Sequence, residues 1–201
     1  ASKVPGQHQA ACWRGIMMNT YDQAAIGVAV ADLYREEPGL LLAEMAQRLN
    51  CSELTVAHHL PANLCTFLPL AMLDELFESL PSWGPLTTIV SHAGSVFEFK
   101  GSFPQGKYGH GYYNLYTKGD GLYGHLKVDD LAAVALISKP FRGSDSHHFC
   151  FFCSDGSTVF KVYLGRDKAR QLLPEQMAHF QRWRQAVACV SASLLEQECG
   201  Q

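Results

Sequence analysis

A change of hydrophobic period at Pro85 constrains the fold of this chain more than any other feature. Downstream of it, apolar residues alternate with polar ones, as in SVFEFKG, where Phe97 and Phe99 share one side. Upstream, apolar residues recur at helical spacing. That spacing, with its caps and breakers, predicts helices over residues 21–35, 40–49, 52–59 and 71–80.

Seven short runs follow Pro85, and each has the length and composition of a strand. They are LTTIVSH, SVFEFKG, GYYNLYT, GLYGHLKV, LAAVALISK, HHFCFFC and TVFKVYL. Turn sequences at residues 93–94, 118–121 and 154–157 join three pairs of them as hairpins. Because hairpin-connected strands are antiparallel, the runs predict a large antiparallel sheet of about seven or more strands.

The last part of the chain returns to a helical pattern, from about Asp167 to Glu198, with Pro174 separating a short first turn. The expected class is therefore α+β, with N-terminal helices, an antiparallel sheet and a C-terminal helix. We expect residues 1–20 to be a flexible tail and residues 21–198 to form a single domain. Its predicted parts are helical (21–81), sheet (85–165) and helical again (166–198).

Composition limits the partners that we expect. The 201 residues carry a formal net charge of −3, which gives no basic footprint for nucleic acid. The chain has no apolar run of about 18 residues for a membrane span, and its start lacks the pattern of a signal peptide. Seven cysteines, an odd number, favour reduced thiols over a disulfide framework. We therefore expect a cytoplasmic protein that binds neither nucleic acid nor a membrane.

Two local motifs suggest other chemistries. Residues 37–61 have the length of a helix-turn-helix, but the second helix lacks the Arg, Lys, Asn or Gln that read bases. A packing element is thus favoured over a transcription regulator. Cys150 and Cys153 match C-x-x-C, but positions i and i+3 of a strand face opposite ways. Buried small thiols are favoured over a metal or redox pair.

Residues 108–128, YGHGYYNLYTKGDGLYGHLKV, combine two histidines and five tyrosines with several glycines. Histidine and tyrosine can hold a haem iron or another metal. Glycine lets a flat ligand, or another backbone, approach closely. This segment therefore joins ligand chemistry with room for a ligand.

Strand alternation sorts these side chains between two faces. If Tyr113 and the leucines face the core, the opposite face carries Tyr112, Asn114, Tyr116, Tyr123, His125 and Lys127. Such a face suits a planar aromatic acid, since it offers rings for the plane, a metal ligand and a cation for carboxylates. An ordinary solvent-exposed sheet face, where tyrosine is also common, is the alternative interpretation.

The same motifs carry a family resemblance. GPLTTIVSHAGSVFEFKGSFPQG, GHGYYNLY, GLYGHLKV, AVALISKPFRG and FKVYLGRDKARQLLPEQ occur in this order and cover about residues 33–182. The chain resembles the cytosolic haem-utilisation carriers of Gram-negative bacteria, the HutX/ChuX/HuvX group, which is related to the HemS/ChuS haem-trafficking proteins. The resemblance implies a saddle-shaped sheet flanked by helices, and a homodimer whose two sheets meet.

The resemblance also implies a function. Members of the family bind haem, the iron complex of protoporphyrin IX, and pass it to a haem-accepting or haem-degrading protein. The alternative is an enzyme that opens the haem ring with a reductant and oxygen, but the chain shows no dedicated catalytic motif. We therefore expect a carrier of imported haem, with no metal other than haem iron and no chemistry of its own.

Residue roles follow from the resemblance with one departure. The family's Gly-His histidine falls on His125, but the strand position after Thr-Thr that holds its other ligand histidine is Ser91 here, with His92 one step later. This offset turns the side chain to the other face unless a bulge restores it. The iron-ligand candidates are His125, Tyr112, Tyr113, Tyr116 and His92. The pocket and propionate candidates are Lys127, Lys139, Arg142, Tyr123 and His110.

Overall fold

The structure, a computed structural model, describes residues 20–117 and 121–199. Its helices are α1 (Thr20–Glu36), α2 (Leu42–Leu49), α3 (Glu53–His59), α4 (Leu73–Ser79) and α5 (Pro174–Cys199). Its strands are β1 (Cys65–Leu68), β2 (Pro85–His92), β3 (Ser95–Ser102), β4 (Gln105–Gly109), β5 (Tyr112–Tyr116), β6 (Gly124–Leu126), β7 (Leu131–Ser138), β8 (His147–Cys153) and β9 (Thr158–Tyr163). Apart from Thr20, the expected flexible tail lies outside the described residues.

The strands divide into two antiparallel sheets. The main sheet has six strands in the order β1-β7-β8-β9-β2-β3, and the small sheet has three in the order β4-β5-β6. The α+β class and its order of helices, sheet and helix are confirmed, and each of the seven predicted runs contains a strand. β1 and β4 are strands that the pattern did not predict.

Two of the three predicted hairpin turns are confirmed. Ala93 and Gly94 both have positive φ, 49° and 79°, as a two-residue turn between antiparallel strands requires. Between β8 and β9 the Cys153 amide donates to the Ser157 carbonyl with an N–O distance of 3.0 Å. The third prediction, at 118–121, falls largely on residues 118–120, which are outside the described part.

The main sheet is buried on both faces at its centre. In β8, Phe149 and Phe151 enter one core cluster while Cys150 and Phe152 enter the other. Helices α1 to α3 cover the second cluster, and α4, α5 and the small sheet cover the first. A strand buried on both sides needs apolar residues at successive positions, which explains the continuous run HHFCFFC.

The segment that resembled a helix-turn-helix packs on the main sheet. Met45 and Ala46 of α2 and Val56 and Ala57 of α3 are buried in the second cluster. The predicted cap of α3 is present, since the Thr55 amide donates to the Ser52 hydroxyl at an N–O distance of 3.1 Å. These helices therefore serve as a cover for one face of the sheet.

The start of the C-terminal helix differs from the prediction. α5 begins at Pro174 and not near Asp167. Residues 166–172 form a closed loop in which the Gln171 amide donates to the Asp167 carboxylate at an N–O distance of 2.8 Å. Proline suits a first helical position because no intrahelical bond is required of its nitrogen. None of the helices in the described ranges combines the length and apolarity needed to cross a bilayer.

Tyr113 ties the small sheet to the core. Its ring stacks on Phe77 of α4 with centroids 4.8 Å apart, and only 5% of the residue is exposed. The ring also lies on Gly106 of the neighbouring strand, where an added β-carbon would be 2.0 Å from a ring carbon. Glycine at position 106 therefore lets Tyr113 reach the core.

His148 of β8 is a polar residue inside the second cluster. Neither of its ring nitrogens has a hydrogen-bond partner among the described residues, and its ring stacks on Tyr163 with centroids 4.3 Å apart. Burial, with a further contribution from the positive charge of Lys161, lowers the pKa of His148 well below its ordinary value. The protein therefore holds this imidazole neutral.

We predict that His148 makes the fold sensitive to acid. Its pKa is lower in the folded than in the unfolded chain, so stability is full above about pH 6.5 and falls below it. Between pH 7 and pH 5 the free energy of unfolding should fall by about 2 kcal/mol through this residue. Urea denaturation at both pH values should show a smaller fall for His148→Phe, which keeps an aromatic ring beside Tyr163.

The exposed His110 supplies the control for this measurement. His110→Asn should leave the fall in the free energy of unfolding between pH 7 and pH 5 unchanged, because that side chain lies at the surface. An equal fall in the wild type and in His148→Phe would contradict the prediction.

Candidate functional site

The small sheet carries the candidate site on the side turned away from the core. β5 and β6 pair so that Asn114 lies opposite His125. Because Tyr113 and Leu115 are buried, the alternate residues of β5 lie on the outer side. We call this side, made of Tyr112, Asn114, Tyr116, His125 and Lys127, the tyrosine–histidine face. Strand alternation predicted these five residues on one face, together with Tyr123, which is described below.

Three chemical groups meet on this face. The rings of Tyr112 and His125 pack edge to face, with centroids 5.9 Å apart and an angle of 65° between their planes. The Lys127 Nζ lies 5.8 Å from the centre of the Tyr112 ring, within cation–π range. Tyr112 and Tyr116 are 40% and 45% exposed. A flat ligand on this face would meet a phenol, an imidazole and an ammonium group while the core stays unchanged.

Asn114 occupies the middle of the face. Its Nδ2 lies 3.1 Å from the carbonyl oxygen of Lys107, 3.0 Å from that of Gly109 and 3.3 Å from that of Tyr112. Its Oδ1 lies 2.6 Å from His125 Nδ1. Alternation placed Asn114 on this face from the sequence, but it gave the residue no role. The register of β5 with β6 indicates a role for Asn114, because it places Asn114 directly opposite His125.

Two other tyrosines of the segment have structural partners. The Tyr123 hydroxyl donates to the Thr117 carbonyl with an O–O distance of 2.6 Å. Tyr113 lies on the core side of the sheet, where its ring meets Tyr108 edge to face at a centroid distance of 5.0 Å. Burial raises the pKa of Tyr113, and the charge of Asp74 adds to this shift. Tyr113 thus faces away from His125, as alternation implied.

His110 lies in the turn between β4 and β5. His110 and Gly111 have φ values of 54° and 80°, which matches the two-residue turns that join antiparallel strands. Beside the turn lies a cavity of about 220 Å³, lined by Tyr108, Gly109, Gly111, Tyr112, Tyr113, Val128 and Asp129. The Tyr108 hydroxyl donates to Asp74 with an O–O distance of 2.5 Å. Tyr112 therefore borders both this cavity and the tyrosine–histidine face.

His92 belongs to the other sheet. It ends β2, and the pairing of β2 with β3 runs without a shift from Pro85 opposite Ser102 to His92 opposite Ser95. No bulge in these strands compensates for the one-residue offset, so Ser91 and His92 point to opposite faces. His92 shares its side of the hairpin with Val90, two positions before it.

The predicted propionate cations lie in different places. Lys139 is buried at the end of β7, where its Nζ donates to the carbonyl of Pro38 at 2.6 Å and to that of Leu40. Burial lowers the pKa of Lys139 to about 8. The exposed guanidinium of Arg142 lies 5.0 Å from the ring centre of Phe141. Of these three cations, Lys127 is the one beside Tyr112.

The two cysteines of the C-x-x-C motif lie in different environments, one in the core and one in a turn. Cys150 is fully buried, and burial raises its pKa to about 12. Cys153 contacts the Asp155 carboxylate at an S–O distance of 2.9 Å in the β8–β9 turn. In the part of the chain that the structure describes, no three His, Cys, Asp or Glu side chains are grouped to hold a metal ion.

Fold and site together define a class of protein. A main sheet covered on both faces at its centre supports a small antiparallel sheet, whose outer side presents phenol, imidazole and ammonium groups to solvent. The family model described as "Haem utilisation ChuX/HutX" matches residues 66–183. The chain belongs to this family, which confirms the resemblance that the motifs indicated.

Individual relatives extend the match beyond that range. The chain is 47% identical over 156 residues to the intracellular heme transport protein HutX of Vibrio cholerae, covering 78% of this chain and 81% of that protein. A crystal structure of ChuX shares 34% identity at a TM-score of 0.73 and covers 79% of this chain and 98% of its own. The E. coli heme oxygenase ChuS shares 17% identity at a TM-score of 0.62 over 47% of its length, a likeness of fold alone.

Proposed function

We propose that this protein is an intracellular haem carrier that receives haem and passes it to a second protein. Family membership and 47% identity to a heme transport protein over 78% of the chain support the carrier role. The observation that carries the proposed site is the meeting of Tyr112, His125 and Lys127 on one exposed sheet face.

The tyrosine–histidine face supplies each contact that haem needs. His125 offers an imidazole for the iron, and Tyr112 and Tyr116 offer aromatic surface for the porphyrin or a phenolate as a second kind of ligand. Lys127 offers a cation for a propionate. The face is open to solvent, so bound haem has a route to an acceptor protein. We infer that His125 is the principal iron ligand.

We predict that changes on this face alter the complex with haem. In an absorbance titration, His125→Ala should shift the Soret band and weaken haem binding at least about tenfold, because a ligand of the iron is lost. Tyr112→Phe and Tyr116→Phe test the phenols, and His92→Ala tests the remaining candidate histidine. Tyr113→Phe is the matched control, since it removes a hydroxyl from the core side of the same strand.

The outcomes separate this site from others. A spectrum and affinity unchanged by His125→Ala, Tyr112→Phe and Tyr116→Phe would refute the tyrosine–histidine face as the haem site. A loss caused by His92→Ala alone would move the site to the β2–β3 hairpin.

We also predict that the haem complex is stable to turnover conditions. The heme transport protein HutX of Vibrio cholerae shares far more identity with this chain than ChuS does, which favours a carrier over a ring-opening enzyme. Incubation of the haem complex with a reductant and oxygen should leave no stoichiometric bilin, whereas added apomyoglobin should take up the haem. Free haem under the same conditions is the control. Stoichiometric bilin with release of iron would contradict the carrier proposal.

We infer that a second copy of the chain covers the outer part of the β2–β3 hairpin. Phe97 and Val96 are 64% and 61% exposed there, and Val90 is 38% exposed. β3 is also an edge strand of eight residues, with one side unpaired in its sheet. A long unpaired strand edge favours pairing with another strand, and a two-fold axis lets β3 pair with its own copy.

We predict that introducing charge at this hairpin breaks the dimer. Sedimentation velocity should show a dimer for the wild type and a monomer for the double variant Val96→Glu/Phe97→Glu. Val28→Glu on α1 is the control, because Val28 is 63% exposed and lies on another surface. A wild-type monomer at micromolar concentration, or a dimer in the double variant, would contradict the inference.

A further inference from the structure

We propose that Asn114 is a positioning residue, which holds His125 as the Nδ1–H tautomer and leaves the lone pair of Nε2 for haem iron. The Nδ1–H tautomer is proposed for the haem-free protein. The role toward iron rests on the proposed function, with His125 as the ligand.

The orientation of the Asn114 amide is fixed by its surroundings. One end of the amide faces three backbone carbonyl oxygens, those of Lys107, Gly109 and Tyr112, at 3.0 to 3.3 Å. Carbonyl oxygens only accept hydrogen bonds, so the group facing them has to be the NH₂ donor. With the amide turned over, its oxygen would face three other oxygens. The oxygen of Asn114 therefore points to His125.

The tautomer of His125 follows from this orientation. A neutral imidazole has one nitrogen that donates and one that accepts. The Asn114 Oδ1 can only accept, and it lies 2.6 Å from His125 Nδ1. Nδ1 therefore carries the hydrogen, and Nε2 carries the lone pair. An iron ion binds that lone pair, so Nε2 is the nitrogen through which His125 can serve as a ligand.

The same bonds hold the imidazole ring in place. Asn114 is fastened to the backbone of β4 through Lys107 and Gly109, and His125 is on β6. The side chain of Asn114 thus bridges all three strands of the small sheet. A ligating histidine commonly donates its second nitrogen to such a partner, which sets the ring orientation and strengthens the ligand. Asn114 is placed to do this for His125.

Long-range ¹H–¹⁵N NMR of the haem-free protein at about pH 8, where exposed imidazoles are neutral, reports the tautomer directly. In the wild type, we expect His125 to show a protonated Nδ1 and an unprotonated Nε2. Asn114→Leu removes the acceptor and should return His125 to the tautomer mixture of the exposed His92 and His110. Asn114→Gln keeps both the NH₂ donor and the acceptor oxygen of the amide and should keep the Nδ1–H form. His125→Ala assigns the signals.

Each outcome of the NMR measurement decides the tautomer. A protonated Nε2 in the wild type, or an Nδ1–H form that survives Asn114→Leu, would overturn the proposal. Circular dichroism of Asn114→Leu checks that loss of the contacts of the Asn114 NH₂ group has not unfolded the small sheet. If it has, Asn114→Gln and the wild-type spectrum still decide the question.

A haem titration tests the positioning role. Asn114→Leu should weaken haem binding by about 10- to 100-fold, the usual effect of losing a partner of a metal-ligating histidine, and Asn114→Gln, which keeps the amide, should retain most of the affinity. Equal affinity of Asn114→Leu and the wild type would overturn the role of Asn114 toward iron. If the wild type itself bound no haem, the proposed function would fail, whereas the NMR result would still stand by itself.

Discussion

The contact between Tyr113 and Phe77 sets which side of the small sheet faces solvent. Tyr113 is drawn into the core by a large ring-on-ring contact at 4.8 Å, and Gly106 makes room for it. Once this one residue of β5 is buried, the alternation of a strand turns its neighbours outward. The exposed chemistry of Tyr112 and Asn114 is therefore a consequence of how the sheet is anchored.

Much of this arrangement is predictable from the sequence, because it depends on local patterns. The period of apolar residues identifies the helices and seven strands, and parity alone divides the tyrosines between two faces. β1 and β4 escape prediction for a physical reason. β1 has four residues before Pro69, too few to show alternation, and β4, QGKYG, contains two glycines and reads as a loop. β4 is a strand because it pairs with β5 across the turn at His110 and Gly111, a hairpin that the pattern of apolar residues does not reveal.

The sequence predicts which residues of the candidate site share a face, but not which of their side chains contact each other. Parity brings Asn114 to the same face as His125, yet only the register of β5 with β6 makes them direct neighbours. The sequence also gives no sign that Lys139 bonds the carbonyl groups of Pro38 and Leu40, about a hundred residues away. Lys127 and Lys139 were both chosen as propionate candidates because of their charge. Only the tertiary structure shows that Lys127 lies beside Tyr112 whereas Lys139 bonds backbone carbonyl groups.

The main sheet and the small sheet differ in how far they are exposed to solvent. The centre of the main sheet is covered on both faces, whereas the tyrosine–histidine face is open and bears half-exposed phenols. A carrier needs both, since a ligand held at an open face can leave for an acceptor while the scaffold stays unchanged. Asn114 is bonded to the backbone of β4 and contacts the imidazole of His125, so this ring can keep one orientation without being buried. The side chain of His125 can in this way stay ordered although it is exposed.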